Sequence, residues 1–304
     1  MDKVVGMKKV FQLFLFALST MYTFAQTRVD EIRTMLLSRD TSSVIVVAHR
    51  ADWRNFPENS LEGIESAIQM GVDIVELDVQ MTKDSVLILM HDKSLNRTTT
   101  GRGNIADVDW EYVSSLKLRN GCGVATDQRV PTLEQALLLC KDRVMINLDK
   151  ADRYFDKVYK LLKETGTMNL IIMKGSKSAL QVQELYGKYL DDILYMPIVN
   201  IDRPNSIDVI HDHIRVRTPI AFELCFATDT CEHINRMKDI LNGSSLIWIN
   251  TLWASLCAGH HDDVSLYDID NGYSYVIDVL GANIIQTDRP LLLLEYLRSR
   301  NLHK

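Results

Sequence analysis

Cysteine is scarce and unpatterned in this chain. Its five cysteines, Cys122, Cys140, Cys225, Cys231 and Cys257, are spread over 304 residues. An odd number at irregular spacing makes neither a disulfide framework nor a zinc-ligand set. Cys140 ends an apolar helical stripe and is expected in the core, and a Cys225–Cys231 bridge would need an oxidising compartment. Excess positive charge is also missing. A net charge of −6 excludes a nucleic-acid partner held on a basic face, so an anionic ligand must meet local cations. The N-terminal apolar run Val10–Leu18 is too short to span a bilayer unaided. No linker and no strict repeat divides the chain, which is read as one domain.

What is present begins with an export signal. Lys8 and Lys9 give a basic start, Val10–Leu18 an apolar segment, and Thr23-Phe24-Ala25 a small-x-small cleavage site before Gln26. Residues 1–25 are therefore expected to be a signal peptide and the mature protein periplasmic or secreted. No cysteine lies near the cut, so no lipid anchor is indicated. An uncleaved anchor is the alternative.

Apolar residues make up 46% of the chain, enough for a sizeable core. Strand-like runs occur at Val44–Ala48, Ile74–Val79, Val144–Leu148, Leu170–Met173, Ile193–Val199, Ile220–Cys225, Leu246–Asn250 and Ile284–Gln286. Helix-like stretches follow them, such as Leu61/Ile64/Ile68 stopped by Gly71, with Asn59 or Ser60 as cap and Glu62 as a capping-box partner. Another opens at Thr132-x-x-Gln135. Regular alternation of this kind predicts a (β/α)8 barrel. A doubly wound open sheet fits less well, because no glycine-rich turn follows the first strand. The polar stretch Gln26–Ser43, with Val29, Ile32, Met35 and Leu36 at helical spacing, is expected beneath the barrel. Val86–Met90 is a surplus strand too close to Val79 for a parallel crossover, so it must turn back antiparallel. A turn centred on Lys83-Asp84 would set Glu76 opposite His91. Residues from about 80 to 130 would then form an excursion over the barrel mouth.

The strand tips carry the chemistry. The first ends in His49-Arg50, the second in Glu76-x-Asp78, the third in Asp149-Lys150 and the surplus strand in His91-Asp92. Later strands end in Lys174, Glu223, Asn250 and Asp288-Arg289. Glu76, Asp78 and Asp149 form an all-oxygen set suited to a hard cation such as Mg²⁺ or Ca²⁺. His49 and His91 supply an acid and a base in the physiological range. Arg50 and Lys150 supply the cations that a phosphodiester needs. A sugar hydrolase would leave those cations unexplained.

The ordered motifs HR, PENS, ELDVQMTKDS, LMHD, RTTTGRG, NLDK and TDRP, from His49 to Arg289, resemble the glycerophosphodiester phosphodiesterase family. The resemblance implies a TIM barrel with an insertion after the second strand. It also implies hydrolysis of glycerophosphodiesters to sn-glycerol 3-phosphate and an alcohol. Carried over by position, it puts the catalytic histidines at His49 and His91 and the metal ligands at Glu76, Asp78 and Asp149. The phosphate contacts fall on Arg50 and Lys150. Three positions depart from the family pattern. Ala51 stands for the glycine after His-Arg, Asp149 for the third carboxylate, usually Glu, and Ser85 for the glycine of the TKDG turn.

Other residues have plainer readings. Glu58 and Asn59 are expected to start a helix, and Arg97 with Thr98–Thr100 to form a solvated turn or a cover for the site. Trp53 and Phe56 line a substrate wall or pack in the core. Glu223, Trp248 and Asn250 sit where substrate contacts are expected. His211-x-His213 and His260-His261 have no ligand set around them and are expected in exposed loops. Two rival functions remain. A phospholipase C- or lysophospholipase D-like enzyme would work at a lipid surface, against which the polar 93–107 segment argues. A barrel that binds a phosphoester without turning it over should lack one of these groups, and all are present.

Overall fold

The computed structural model describes residues 26–230 and 232–304. The expected signal peptide lies outside them, as does Cys231 and with it the proposed bridge. In chain order the strands are β1 (Ile45–Ala48), β2 (Ile74–Met81), β3 (Leu87–Leu89), β4 (Lys117–Arg119), β5 (Ala125–Arg129), β6 (Met145–Asp149), β7 (Ile171–Gly175), β8 (Leu194–Asn200), β9 (Ala221–Cys225), β10 (Leu246–Asn250) and β11 (Ile284–Thr287). Leaving out β3, β4 and β5, the other eight pair in parallel, and β1 bonds both β2 and β11, so the sheet closes on itself. This is the (β/α)8 barrel, not the open sheet. Its strands are nearly continuous apolar runs because helices cover one face and the barrel core the other.

Local signals act as the sequence suggests at several helix ends. Thr132 and Gln135 form a reciprocal capping box before the helix Leu133–Cys140, whose last residue is buried. Gly71 ends the helix Leu61–Met70 with φ +91°, where a side chain would be strained. That helix starts differently from the expectation. Ser60 alone is its cap, accepting the Gly63 N–H at 3.0 Å. Glu62 then falls one residue short of the capping-box position, and Asn59 is left for another use.

The surplus strand β3 does turn back on β2, but its register differs from the expected one. Val79 faces Leu89 and Met81 faces Leu87, so Asp78 is opposite Met90 and Glu76 does not face His91. Ser85 is the reason. It adopts φ +71° and makes the turn one residue longer than a two-residue loop. The shift carries His91 toward Asp78. Beyond β3, the excursion contains a short helix Trp110–Ser115 and the β4–β5 hairpin. It has its own small core of Ile88, Leu95, Ile105, Val113 and Leu118, which holds it over the mouth as a packed unit.

One histidine of each pair is buried, against expectation. His213 lies on the helix Ser206–Arg217, buried, with Nε2 3.2 Å from the Lys177 carbonyl. His260 is buried and stacked on Tyr275 at 3.8 Å. Each ring packs its flat face or edge on an aromatic neighbour, a tertiary contact that neither dipeptide signals.

At the opposite end from the mouth, the helix Arg28–Ser38 buries Val29, Ile32 and Leu36 beneath the barrel. Asp73 sits there too, accepting from Arg28 at 2.5 Å, from the Val46 amide at 2.8 Å and from His303 at 3.0 Å. These bonds tie both ends of the described chain to the strand bottoms.

Candidate active site

Strand geometry gathers the acidic trio. Glu76 and Asp78 are two apart on β2 and so share its inner face. The β2–β6 register sets Asp78 beside Asp149. One carboxylate oxygen from each of the three lies within 4.8 Å of the others, and these residues could hold a metal ion. Glu76 and Asp78 are buried, while the Asp149 side chain is 29% exposed and opens the cluster to solvent. An all-oxygen, partly open set fits a hard divalent cation.

Cations of the chain already surround the trio. The Lys150 ammonium bonds Asp78 and lies 3.1 Å from Asp149. Lys174, almost wholly buried at the tip of β7, stands 3.5 Å from both Glu76 and Glu223. Arg50 Nε is 3.6 Å from Asp78, and the Arg50 amide donates to Glu76 at 3.1 Å. The three acids respond differently. Burial raises the pKa of Glu76 above the ordinary carboxylate value, outweighing the nearby Lys174. Burial opposes ionisation of Asp78 as well, but Lys150, His91 and Arg50 overcome it and hold the pKa down. Lys174 and Lys150 likewise keep Asp149 low against its burial. Lys174 is held above the usual lysine value despite burial, by Glu223, Asp149 and Glu76.

The two histidines border different members of the trio, His49 acting electrostatically on Glu76 and His91 on Asp78. Each has its own carboxylate. His49 Nδ1 is 2.7 Å from Asp288, and His91 Nδ1 is 2.8 Å from Asp92. A carboxylate at Nδ1 fixes the proton there and leaves Nε2 as the nitrogen available to a ligand. Asp288 Oδ1 also accepts the Trp53 indole N–H at 2.6 Å, so Trp53 helps to orient His49. Behind it, Asp262 accepts the Asp288 amide at 2.6 Å together with the hydroxyls of Thr251, Thr287 and Tyr273. Burial raises the Asp262 pKa to about 6 against those bonds.

Residues with plain sequence readings carry much of the support. Asn59, at φ +60°, donates to the Asp78 carboxylate at 2.9 Å and accepts the Asp78 amide at 3.0 Å. Arg97 grips Glu58 and Asp92 with two hydrogen bonds each, between 2.7 and 2.9 Å. Glu58 in turn accepts from Arg50 at 3.3 Å. A continuous polar chain thus runs from His91 through Asp92, Arg97 and Glu58 to Arg50. The capping alphabet hid Asn59, because Asn before a helix is most often a cap. The one available signal was the place of Arg97 and PENS among the ordered motifs.

Glu223 and Asn250 line the barrel interior and bond at 2.8 Å; Asn250 also accepts the Trp248 indole N–H at 2.8 Å. Trp248 itself is completely buried. Buried atoms here lack hydrogen bonds: Arg50 Nε, Glu223 Oε2, Asn147 Oδ1 and Gln286 Oε1. Such atoms are rare in folded cores, and four of the seven found among the described residues gather here.

Comparison with known proteins points to one family and one fold. Residues 49–189 match the glycerophosphoryl diester phosphodiesterase family model, and residues 195–297 match a domain of unknown function. A glycerophosphodiester phosphodiesterase of Caldanaerobacter subterraneus is 36% identical over 107 residues, covering 34% of this chain and 44% of that relative. Mouse glycerophosphodiester phosphodiesterase 1 is 36% identical over 123 residues, 38% of this chain and 36% of its own length. The chain thus spans less than half of these two curated relatives. A glycerophosphoryl diester phosphodiesterase structure from Parabacteroides distasonis superposes with a TM-score of 0.72 at 23% identity, covering 90% of this chain and 92% of that one. An Oleispira antarctica phosphodiesterase in complex with the product sn-glycerol-3-phosphate gives 0.64 at 16% identity, covering 84% and 97%. At those identities the superpositions establish the shared barrel. Together with the family-model match over residues 49–189 and the curated relatives, they support the glycerophosphoryl diester phosphodiesterase family for this chain.

Proposed function

We propose that this protein hydrolyses glycerophosphodiesters to sn-glycerol 3-phosphate and an alcohol, with Mg²⁺ or Ca²⁺ held by Glu76, Asp78 and Asp149. The observation that carries the reading is the pair of imidazoles, each fixed at Nδ1 by its own carboxylate, bordering one acidic trio. A bound divalent cation supplies charge for the phosphate oxygens and polarises the attacking oxygen. The chain's own groups do the rest. Arg50 and Lys150 contact the phosphate, and Glu223 contacts the substrate from the barrel interior. One of His49 and His91 takes a proton at Nε2 from the attacking oxygen, either water itself or the substrate's own hydroxyl with water then opening the cyclic phosphate, and the other protonates the alcohol oxygen as its bond to phosphorus breaks. Arg97 and Glu58 keep Arg50 and His91 at a fixed separation. The product bound to the Oleispira antarctica phosphodiesterase supports a small-molecule substrate of this class. Among the described residues no helix is long and apolar enough to cross a membrane.

The test is release of glycerol 3-phosphate from a panel of glycerophosphodiesters by the purified protein. Activity should vanish with a chelator and return with Mg²⁺ or Ca²⁺. Release that ignores the chelator, or no release from any diester, overturns the reading. We propose further that the protein acts after export, which the N-terminus of the mature protein checks: it should be Gln26.

A further inference from the structure

Resting on the function just proposed, the geometry points to Trp253 as the residue that selects the leaving alcohol, favouring one with apolar or methylated surface, such as a quaternary ammonium alcohol, over a hydrated polyol. Trp253 follows β10 at the mouth, and its ring meets His49 edge-on at 6.3 Å between centroids. It is 47% exposed, while His49 beneath it is only 8% exposed. Large apolar side chains are exposed elsewhere, as at Leu138, Leu180 and Leu291, but those lie on the barrel's helices and not against a proposed catalytic group.

The exposure is built in, because the backbone of this segment is held from several sides. Thr251 donates to Asp262 through its hydroxyl and to the Gln286 carbonyl through its amide. The Trp253 carbonyl accepts from the Leu256 amide and the Cys257 thiol. A fixed backbone that holds an indole half in water beside a proposed catalytic group puts that ring where a bound ligand would meet it.

The other walls decide which part of the substrate the indole meets. The barrel interior offers Glu223, Asn250 and Lys174, all buried and polar, which suit the hydroxyls of glycerol. The face of Trp53 is taken by Arg54, 5.0 Å from its ring, and the β4–β5 turn packs on its edge at Gly121. The outward-pointing substituent therefore meets the exposed part of the Trp253 ring. An indole face attracts methylated cations and apolar groups, and gives a polyol nothing in return for its lost water.

The experiment compares glycerophosphocholine, glycerophosphoethanolamine and glycerophosphoglycerol, with wild type, Trp253→Ala and Trp253→Phe. Wild type should prefer the choline diester. Trp253→Ala should lower kcat/KM for it by about 3- to 30-fold, mainly through KM, and reduce the choline-to-glycerol preference. Trp253→Phe should keep most of that preference. Saturation-transfer NMR on choline chloride gives a readout that needs no turnover, with methyl contact present in wild type and lost in Trp253→Ala. Equal losses for all three diesters, an unchanged preference, or choline contact that survives Trp253→Ala would each overturn the inference. A wild type that binds choline yet cleaves none of the diesters would overturn the phosphodiesterase reading instead.

Discussion

Asp73 at the bottom of the barrel and Lys174 at its mouth are buried charges held in opposite ways. At the bottom, Asp73 is fully partnered by Arg28, His303 and the Val46 amide, all within 3.0 Å. At the mouth, Lys174 is shared at 3.5 Å between Glu76 and Glu223, and Arg50 Nε and Glu223 Oε2 have no hydrogen bond. A closed set of short bonds at the bottom stabilises the fold. Looser, incompletely satisfied charges at the mouth are held in place by the packing around them and are free to engage a ligand. Parallel barrels follow this division because the βα-loops at the strands' C-terminal ends build the active site, while the opposite face serves stability.

The sharpest way to break that comparison is at the histidines. His49→Ala or His91→Ala should lower kcat by about 100- to 10,000-fold while the thermal unfolding temperature stays near that of wild type. Steady-state kinetics beside a melting curve would show it, and near-normal turnover by either variant would remove that histidine from the chemistry. Next in size is Arg97→Ala, which cuts the chain joining His91 to Arg50. It should cost about 10- to 100-fold in kcat/KM, the usual loss when a supporting residue behind a site is removed. Retained activity there would mean that the excursion's own core positions His91 without help.

At the bottom the signs should reverse. Asp73→Ala leaves Arg28 and His303 without their carboxylate and should lower unfolding stability by about 2–4 kcal/mol. Activity at 25 °C should stay close to wild type, and a large loss of kcat would blur the division between the two ends. The smallest effect is expected at Ala51, which with Arg50 forms two successive left-handed residues, φ +50° and +62°. Ala51→Gly relieves strain but gives up a buried methyl and loosens the unfolded chain, so stability should change by less than about 1 kcal/mol. Ala51→Val, with a branched side chain in the same conformation, should destabilise by clearly more. Chemical denaturation of the pair would measure the strain.

Much of the barrel was legible because strand and helix periods are local. The eight apolar runs, the capping box at Thr132 and the stop at Gly71 each depend on neighbours a few residues away. Glu76 and Asp78 share a face by the two-residue period alone. Reading failed where one residue's backbone conformation or a distant partner decided the outcome. Ser85 lengthened a turn and moved His91 from Glu76 to Asp78. Asn59 left a helix start to hold Asp78, and His213 and His260 went inside to pack on aromatic rings.

By itself, then, the sequence determined a closed α/β barrel whose tips carry three carboxylates, two histidines and two cations, because those features follow from periodicity and side-chain chemistry. Only the tertiary structure decided which groups support them: Asp288, Asp262 and Trp53 behind His49, Arg97 and Glu58 between His91 and Arg50. Those partners are up to 239 positions apart in the chain. Their pairing is set by how loops close over the barrel mouth, a property of packing that no local pattern encodes.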